Sequence, residues 1–217
     1  NSIGTAYGPQ RSFTTLAIAP TISATASATS ITGTTATGGG TITADGGATV
    51  TSRGLVYGIS TGSATFSVTS GTGTGTYTIG LTGLSPATTY YVRSFATNSV
   101  GTVYGTETSF TTNAIAPTLT TTAASSITKY AASAGGTITS NGGSVITASG
   151  ICWSTTATPT ISNSRTTDGT TSGTFTSNIT GLNAGTTYYV RAYATNAIGT
   201  SYGANQSFTT VSPPPVQ

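Results

Sequence analysis

Six basic side chains, three acidic ones, one cysteine and no histidine are what this 217-residue chain offers for acid–base, metal or electrostatic chemistry. The acids are Asp45, Glu107 and Asp168, and the bases are Arg11, Arg53, Arg93, Lys129, Arg165 and Arg191. General acid–base catalysis needs a group that titrates near working pH. Here there is no imidazole, no pair of neighbouring carboxylates, and no Arg or Lys beside a serine in a nucleophile motif. The expectation is therefore no enzyme, with no catalytic residue and no cofactor. Hard cations want several oxygen ligands, carboxylates among them. Asp45 and Asp168 each stand alone beside glycine, and the second half of the chain carries Asn141 where the first carries Asp45. Both read as turns, and no metal site is expected. The Gly-rich stretches Gly38–Gly40 and Gly71–Gly75 lack the following Lys and helix of a phosphate loop. Without a basic cluster, nucleic acid is not an expected partner. Cys152 takes the place of Val56 and reads as a small buried hydrophobe, with no second cysteine for a disulfide.

What remains is aromatic. Strand alternation puts Tyr90, Val92, Ser94 and Ala96 on one face and Tyr91, Arg93 and Phe95 on the other. The second half of the chain repeats this as Tyr189, Arg191 and Tyr193. If Tyr90 points inward, these six side chains face outward. A guanidinium among aromatic rings supports cation–π stacking, and exposed aromatics with an Arg suit a sugar or a protein partner. The plainer reading is a cross-strand ladder that stabilises the sheet by about 0.2–1 kcal/mol per pair. Both readings stay open on the sequence.

The elements that position these residues follow from an internal repeat. Thr97–Thr112 reads TNSVGTVYGTETSFTT, Thr195–Thr210 reads TNAIGTSYGANQSFTT, and Asn1–Thr15 reads NSIGTAYGPQRSFTT. The period is about 97 residues, with three such tails and only two bodies. The expected layout is a last-strand fragment at 1–15, a repeat at 16–112, a second repeat at 113–210, and a Pro-rich linker or tail at 211–217. Threonine makes up about a quarter of the chain, while Met is absent and Lys and Glu occur once each. Such a composition disfavours helices and favours pleated, half-buried surfaces.

Within the first repeat, strands are expected at Thr21–Ile31, Thr37–Thr43, Thr49–Ser60, Tyr77–Leu81, Thr88–Thr97 and Val103–Thr112. The second repeat would close with Ser201–Thr210. Ala44-Asp45-Gly46-Gly47 and Ser140-Asn141-Gly142-Gly143 mark turns, because glycine accepts positive φ. About seven strands per repeat is the count of an immunoglobulin-like sandwich.

The run Leu84-Ser85-Pro86-Ala87-Thr88-Thr89-Tyr90-Tyr91-Val92-Arg93-Ser94-Phe95-Ala96-Thr97-Asn98, then Gly101, resembles the fibronectin type III family. The second repeat matches at Leu182, Thr186, Tyr188, Val190, Ala194, Asn196 and Gly199, with Ala184 where that family has Pro. The resemblance implies an all-β fold of tandem seven-stranded sandwiches, arranged as a rod. It also implies that Tyr90 and Tyr188 are structural tyrosine-corner residues, each phenol bonded to backbone a few residues upstream. More specifically, the Thr/Gly-rich wording resembles tandem repeats of very large secreted or cell-surface proteins of Bacteroidetes, adhesins among them.

That resemblance implies an extracellular or cell-surface location and a structural role: a stalk or filament of an adhesin that holds a functional end away from the cell. The expected partners are neighbouring repeats of the same chain, surface glycans met by the aromatic–arginine face, or like subunits joined by strand addition through the N-terminal last-strand text. A spacer in a secreted polysaccharide hydrolase is the other role consistent with the resemblance. No signal peptide and no transmembrane run are present in the sequence, so no direct membrane insertion is expected from this segment.

Overall fold

The computed structural model describes residues 2–214; Asn1 of the N-terminal segment and residues 215–217 of the Pro-rich tail lie outside the described residues. Every regular element among the described residues is a strand. The first body contains β1 (Thr21–Thr29), β2 (Thr35–Ala44), β3 (Ser52–Gly58), β4 (Phe66–Thr69), β5 (Gly75–Thr82), β6 (Thr89–Thr97), β7 (Thr102–Tyr104) and β8 (Thr108–Thr111). They form two sheets, β1-β2-β5 and β4-β3-β6-β7, with β8 also on β6. The second body repeats the plan with β9 (Thr118–Ser125), β10 (Ala131–Ser140), β11 (Ala148–Ser154), β12 (Ser164–Arg165), β13 (Gly173–Thr180), β14 (Thr187–Thr195), β15 (Thr200–Tyr202) and β16 (Gln206–Thr209). Its sheets are β9-β10-β13 and β12-β11-β14-β15, with β16 also on β14.

Alternation decides which side chains fill each sandwich. On β6, Tyr90, Val92, Ser94 and Ala96 are buried; on β14, Tyr188, Val190, Ala192 and Ala194 are buried. In the first sandwich Ile42 and Tyr77 from one sheet pack with Val50 and Ala96 from the other side. In the second, Ala132, Ala134 and Ile179 meet Ile151, Val190, Ala192 and Phe208. Burying an aliphatic or aromatic side chain of this size is worth about 1.5–3 kcal/mol, so each sandwich has a core of its own.

The turns are built as their residues require. Asp45 Oδ1 accepts the Gly47 N–H at 2.9 Å, and Asn141 Oδ1 accepts the Gly143 N–H at 2.9 Å. Gly46, Gly47, Gly142 and Gly143 all have positive φ, from 69° to 80°. Asp45 is thus a turn residue, and Asn141 does the same job without a charge.

Two expectations about strands need correcting. Phe66–Thr69 forms an extra edge strand, β4, that no alternation announces. The last strand, read as unbroken over Val103–Thr112 and Ser201–Thr210, is split in both sandwiches into β7 and β8, and β15 and β16. The cause is a crossing from the opposite sheet. Thr25 on β1 is buried, and its Oγ1 accepts the Ser94 N–H of β6 at 2.8 Å. The Gly105 N–H donates to Ser94 O at 2.8 Å. A Cβ on Gly105 would stand 2.4 Å from Ser94 Oγ and 2.8 Å from Thr25 Oγ1, so only glycine fits. The second sandwich reproduces the arrangement: the Ala192 N–H donates to Thr121 Oγ1 at 3.0 Å and the Gly203 N–H to Ala192 O at 2.9 Å.

The N-terminal segment does not behave as the strand that its text suggests. Residues 2–20 include no strand. The edges of β6 and β14 that would receive a last strand are already occupied by β7 and β8, and by β15 and β16.

Candidate functional site

The six aromatic and arginine residues singled out in the sequence lie on β6 and β14, the strands that hold each five-stranded sheet together. Arg93 shares the half-buried face of β6 with Tyr91 and Phe95, but its ring partner is on the next strand. Its guanidinium stacks over the Tyr104 ring of β7, 5.0 Å from the centroid, and its Nε donates to Gly105 O at 3.1 Å. Arg191 stacks over Tyr202 at 4.7 Å, and its Nε donates to Gly203 O at 2.9 Å. Each arginine therefore ties the central strand to the break in the last strand. Such a pair is worth about 0.5–1 kcal/mol where exposed and more where desolvated. Tyr104 and Tyr202 were not among the sequence candidates; their recurrence three residues after the turn glycine, in Gly-Thr-x-Tyr-Gly, was the signal available.

Tyr91, Phe95 and Tyr189 are half-buried, so they show one face to solvent. Tyr193 is different, and its outward placement is corrected here. It is 2 % exposed. The loop after β12 folds over its ring, and its Oη donates to Thr166 O at 2.6 Å. Around it, Thr166 Oγ1 donates to Asp168 Oδ2 at 2.7 Å, Ser177 Oγ donates to the same carboxylate oxygen, and Ser149 Oγ donates to Gly169 O at 3.0 Å. Asp168 is thus a brace for this loop.

The first sandwich closes the corresponding place with an arginine. Arg53 Nη1 donates to Gly73 O at 3.2 Å and Thr74 O at 2.7 Å, and the guanidinium lies 5.1 Å from the Tyr77 centroid. Tyr77 Oη in turn donates to Gly54 O at 2.5 Å. Arg53 and Asp168 therefore do equivalent structural work in the two sandwiches, through unrelated chemistry.

Arg191→Ala should remove the stack on Tyr202 and the bond to Gly203. The expected loss is about 1–2 kcal/mol of stability in the second sandwich. Arg191→Lys should recover less than half of it, because an ammonium has no planar face to stack. Denaturant unfolding of the two variants checks both.

Tyr188 Oη accepts the Asn183 N–H at 3.0 Å, five residues upstream, and its ring stacks on Phe208 at 5.9 Å. Tyr90 stacks on Phe110 at 5.8 Å. Cys152 is fully buried, with Sγ 3.4 Å from Pro159 O. Burial pushes its thiol up to about 11 from an ordinary 9.0. The folded state therefore keeps a proton that the unfolded chain loses above about pH 9. The second sandwich should lose stability as pH climbs from 9 towards 11, and Cys152→Val should flatten that slope. Melting temperatures at pH 8, 9 and 10 for both chains check this.

Among the described residues, no three His, Cys, Asp or Glu side chains come together to hold a metal ion. Among the same residues, no helix is long and apolar enough to cross a membrane.

The order of the sheets and the break in the last strand can be set beside known structures. The chain matches a crystal structure of the FN1-FN3 domains of chicken CNTN1 with a TM-score of 0.53 at 12 % identity, over 89 % of this chain and 67 % of that one. The fold is a tandem of fibronectin type III-like sandwiches. No protein-family profile matches the sequence, and no curated protein does. At this identity the likeness concerns the fold alone.

Proposed function

We propose that the chain is a structural repeat region of an extracellular bacterial adhesin, a stalk that holds a functional end away from the cell. The observation that carries this reading is where the scarce polar chemistry goes. Arg53, Arg93 and Arg191 donate hydrogen bonds within their own sandwich, and Asp168 accepts them within its own. Side chains committed to bracing leave little for a ligand, whereas a spacer needs folded units that survive outside the cell without disulfides. With so few charges there is also little for salt to screen, so stability should vary weakly with ionic strength. Small-angle scattering of the full chain tests the reading. A maximum dimension near twice that of one sandwich supports a stalk, and a collapsed particle would overturn it.

A second reading attaches to the first sandwich. Tyr91 and Phe95 are half-buried, and Tyr104 is 47 % exposed beside Arg93. This is an amphipathic face of the kind that stacks on a sugar ring. Binding to immobilised glycans that is lost in Tyr91→Ala plus Tyr104→Ala, with the fold intact, would favour it. Equal binding by that variant and the parent would remove it.

A further inference from the structure

We propose that the N-terminal segment, through Thr15, is a ready-made last strand that docks onto the open edge of a further sandwich of this same repeat type. The argument is a position-by-position comparison with β7–β8 and β15–β16. Tyr7 stands at the position of Tyr104 and Tyr202, the rings on which Arg93 and Arg191 stack. Gly8 stands at the position of Gly105 and Gly203. There a Cβ would come within 2.4 Å of Ser94 Oγ or Thr121 Oγ1.

Pro9 follows, at the place of Thr106 and Ala204. Both lie in the break between the two halves of the last strand, where the ladder asks for no N–H. Gln10 stands where Glu107 accepts the Gly62 N–H at 2.8 Å and Asn205 accepts the Thr158 N–H at 3.1 Å, and it keeps a side-chain acceptor. Phe13 answers Phe110 and Phe208, which stack on the buried tyrosines. Thr15 answers Thr112 and Thr210, whose Oγ1 atoms donate to Ser85 O and Asn183 O at 2.6 Å.

Within this chain none of that equipment is used. Tyr7 is 91 % exposed, Phe13 89 % and Leu16 91 %, whereas Phe110 and Phe208 are each 7 % exposed. Aromatic side chains held in water at the spacing of a core strand call for a partner. The positions also specify it. The partner presents a strand like β6 or β14, with a buried tyrosine to receive Phe13 and an arginine three residues later to stack on Tyr7, and its own last-strand edge is vacant. Backbone pairing gives affinity, and the alternating pockets give register.

The test uses the full chain with a copy of residues 16–97 fused ahead of Asn1, which supplies a sandwich without a last strand, joined to the segment as β6 is joined to β7. Hydrogen exchange is followed at Thr5–Tyr7 and Arg11–Thr14. Those amides are expected to slow at least a hundredfold relative to the unfused chain, and Gly8→Val or Phe13→Ala in the fusion should return them to the unfused rate. The second arm keeps the original length. Here Gly203→Val plus Phe208→Ala loosens the second sandwich's own last strand. Concentration-dependent association in sedimentation velocity, abolished by adding Phe13→Ala, is expected. If the fused chain leaves those amides unprotected, or if protection is indifferent to Gly8 and Phe13, the proposal is wrong. It is equally wrong if the second-arm association ignores Phe13. Neither failure bears on the scattering test of the stalk.

Discussion

Tyr188→Ala should destabilise the second sandwich by about 3–5 kcal/mol, the cost of removing a large aromatic ring from a packed core. The ring is 7 % exposed and stacks on Phe208, so the cavity would open between β14 and β16 and loosen the pairing of the last strand. A marginal domain has only about 5–15 kcal/mol to lose, and the unfolding midpoint should fall far enough to separate the two sandwiches in a denaturant titration. Tyr188→Phe divides the loss. It keeps the stack and removes only the acceptor of the Asn183 N–H, which should cost about 1–2 kcal/mol. A Phe variant as unstable as the Ala variant would mean that the hydrogen bond, and not the packing, holds this corner.

Asn196→Ala is expected to cost about 4 kcal/mol, at about 1 kcal/mol for each of the four hydrogen bonds that it loses. Asn196 is 4 % exposed. Its Nδ2 donates to Ile115 O at 2.7 Å and Asn141 O at 2.8 Å, while its Oδ1 accepts from the Ile198 N–H at 2.9 Å and the Gly199 N–H at 3.1 Å. One side chain thus pins the irregular segment that leads into β9, the turn after β10 and the turn after β14. Asn98 does the same in the first sandwich, reaching Ile18 O and Asp45 O. Asn196→Asp makes the sharper test. The ionised carboxylate would face two carbonyl oxygens, so its folded pKa would rise above the unfolded value. Stability of this variant should therefore increase as pH falls through that raised pKa, opposite to the trend that a salt-bridged acid gives. Chemical denaturation at pH 4 and pH 7 reads the sign directly.

Much of this was legible from local pattern. The alternation at Tyr90–Ala96 and Tyr188–Ala194 states which face is buried, because period two has only one solution once a large aromatic is placed inside. The Asp-Gly-Gly and Asn-Gly-Gly turns name themselves through φ. What stayed hidden depends on residues far apart in the chain. Tyr193 looks like Phe95 in its own strand, yet it is buried because a loop more than twenty residues earlier folds over it and accepts its hydroxyl. The break at Gly105 and Gly203 follows from a threonine on the first strand of the opposite sheet, a contact that no window on the last strand contains. Arg53 and Asp168 read as isolated charges because their partners are backbone carbonyls and hydroxyls, which carry no sequence signature. The stacking of Arg93 and Arg191 on the following strand, and not on their own neighbours, has the same origin.

The buried thiol of Cys152 has a use beyond packing. Alkylating reagents attack the thiolate, and this sulfur is both sealed from solvent and held protonated at ordinary pH. It is therefore silent while the second sandwich is closed and reacts only during excursions that unseat β11. With no other sulfhydryl in the sequence to compete, the rate of covalent tagging by a maleimide in slight excess becomes a one-site clock of opening. Under tension between two beads, that clock would time when one named repeat yields, with no label added beforehand.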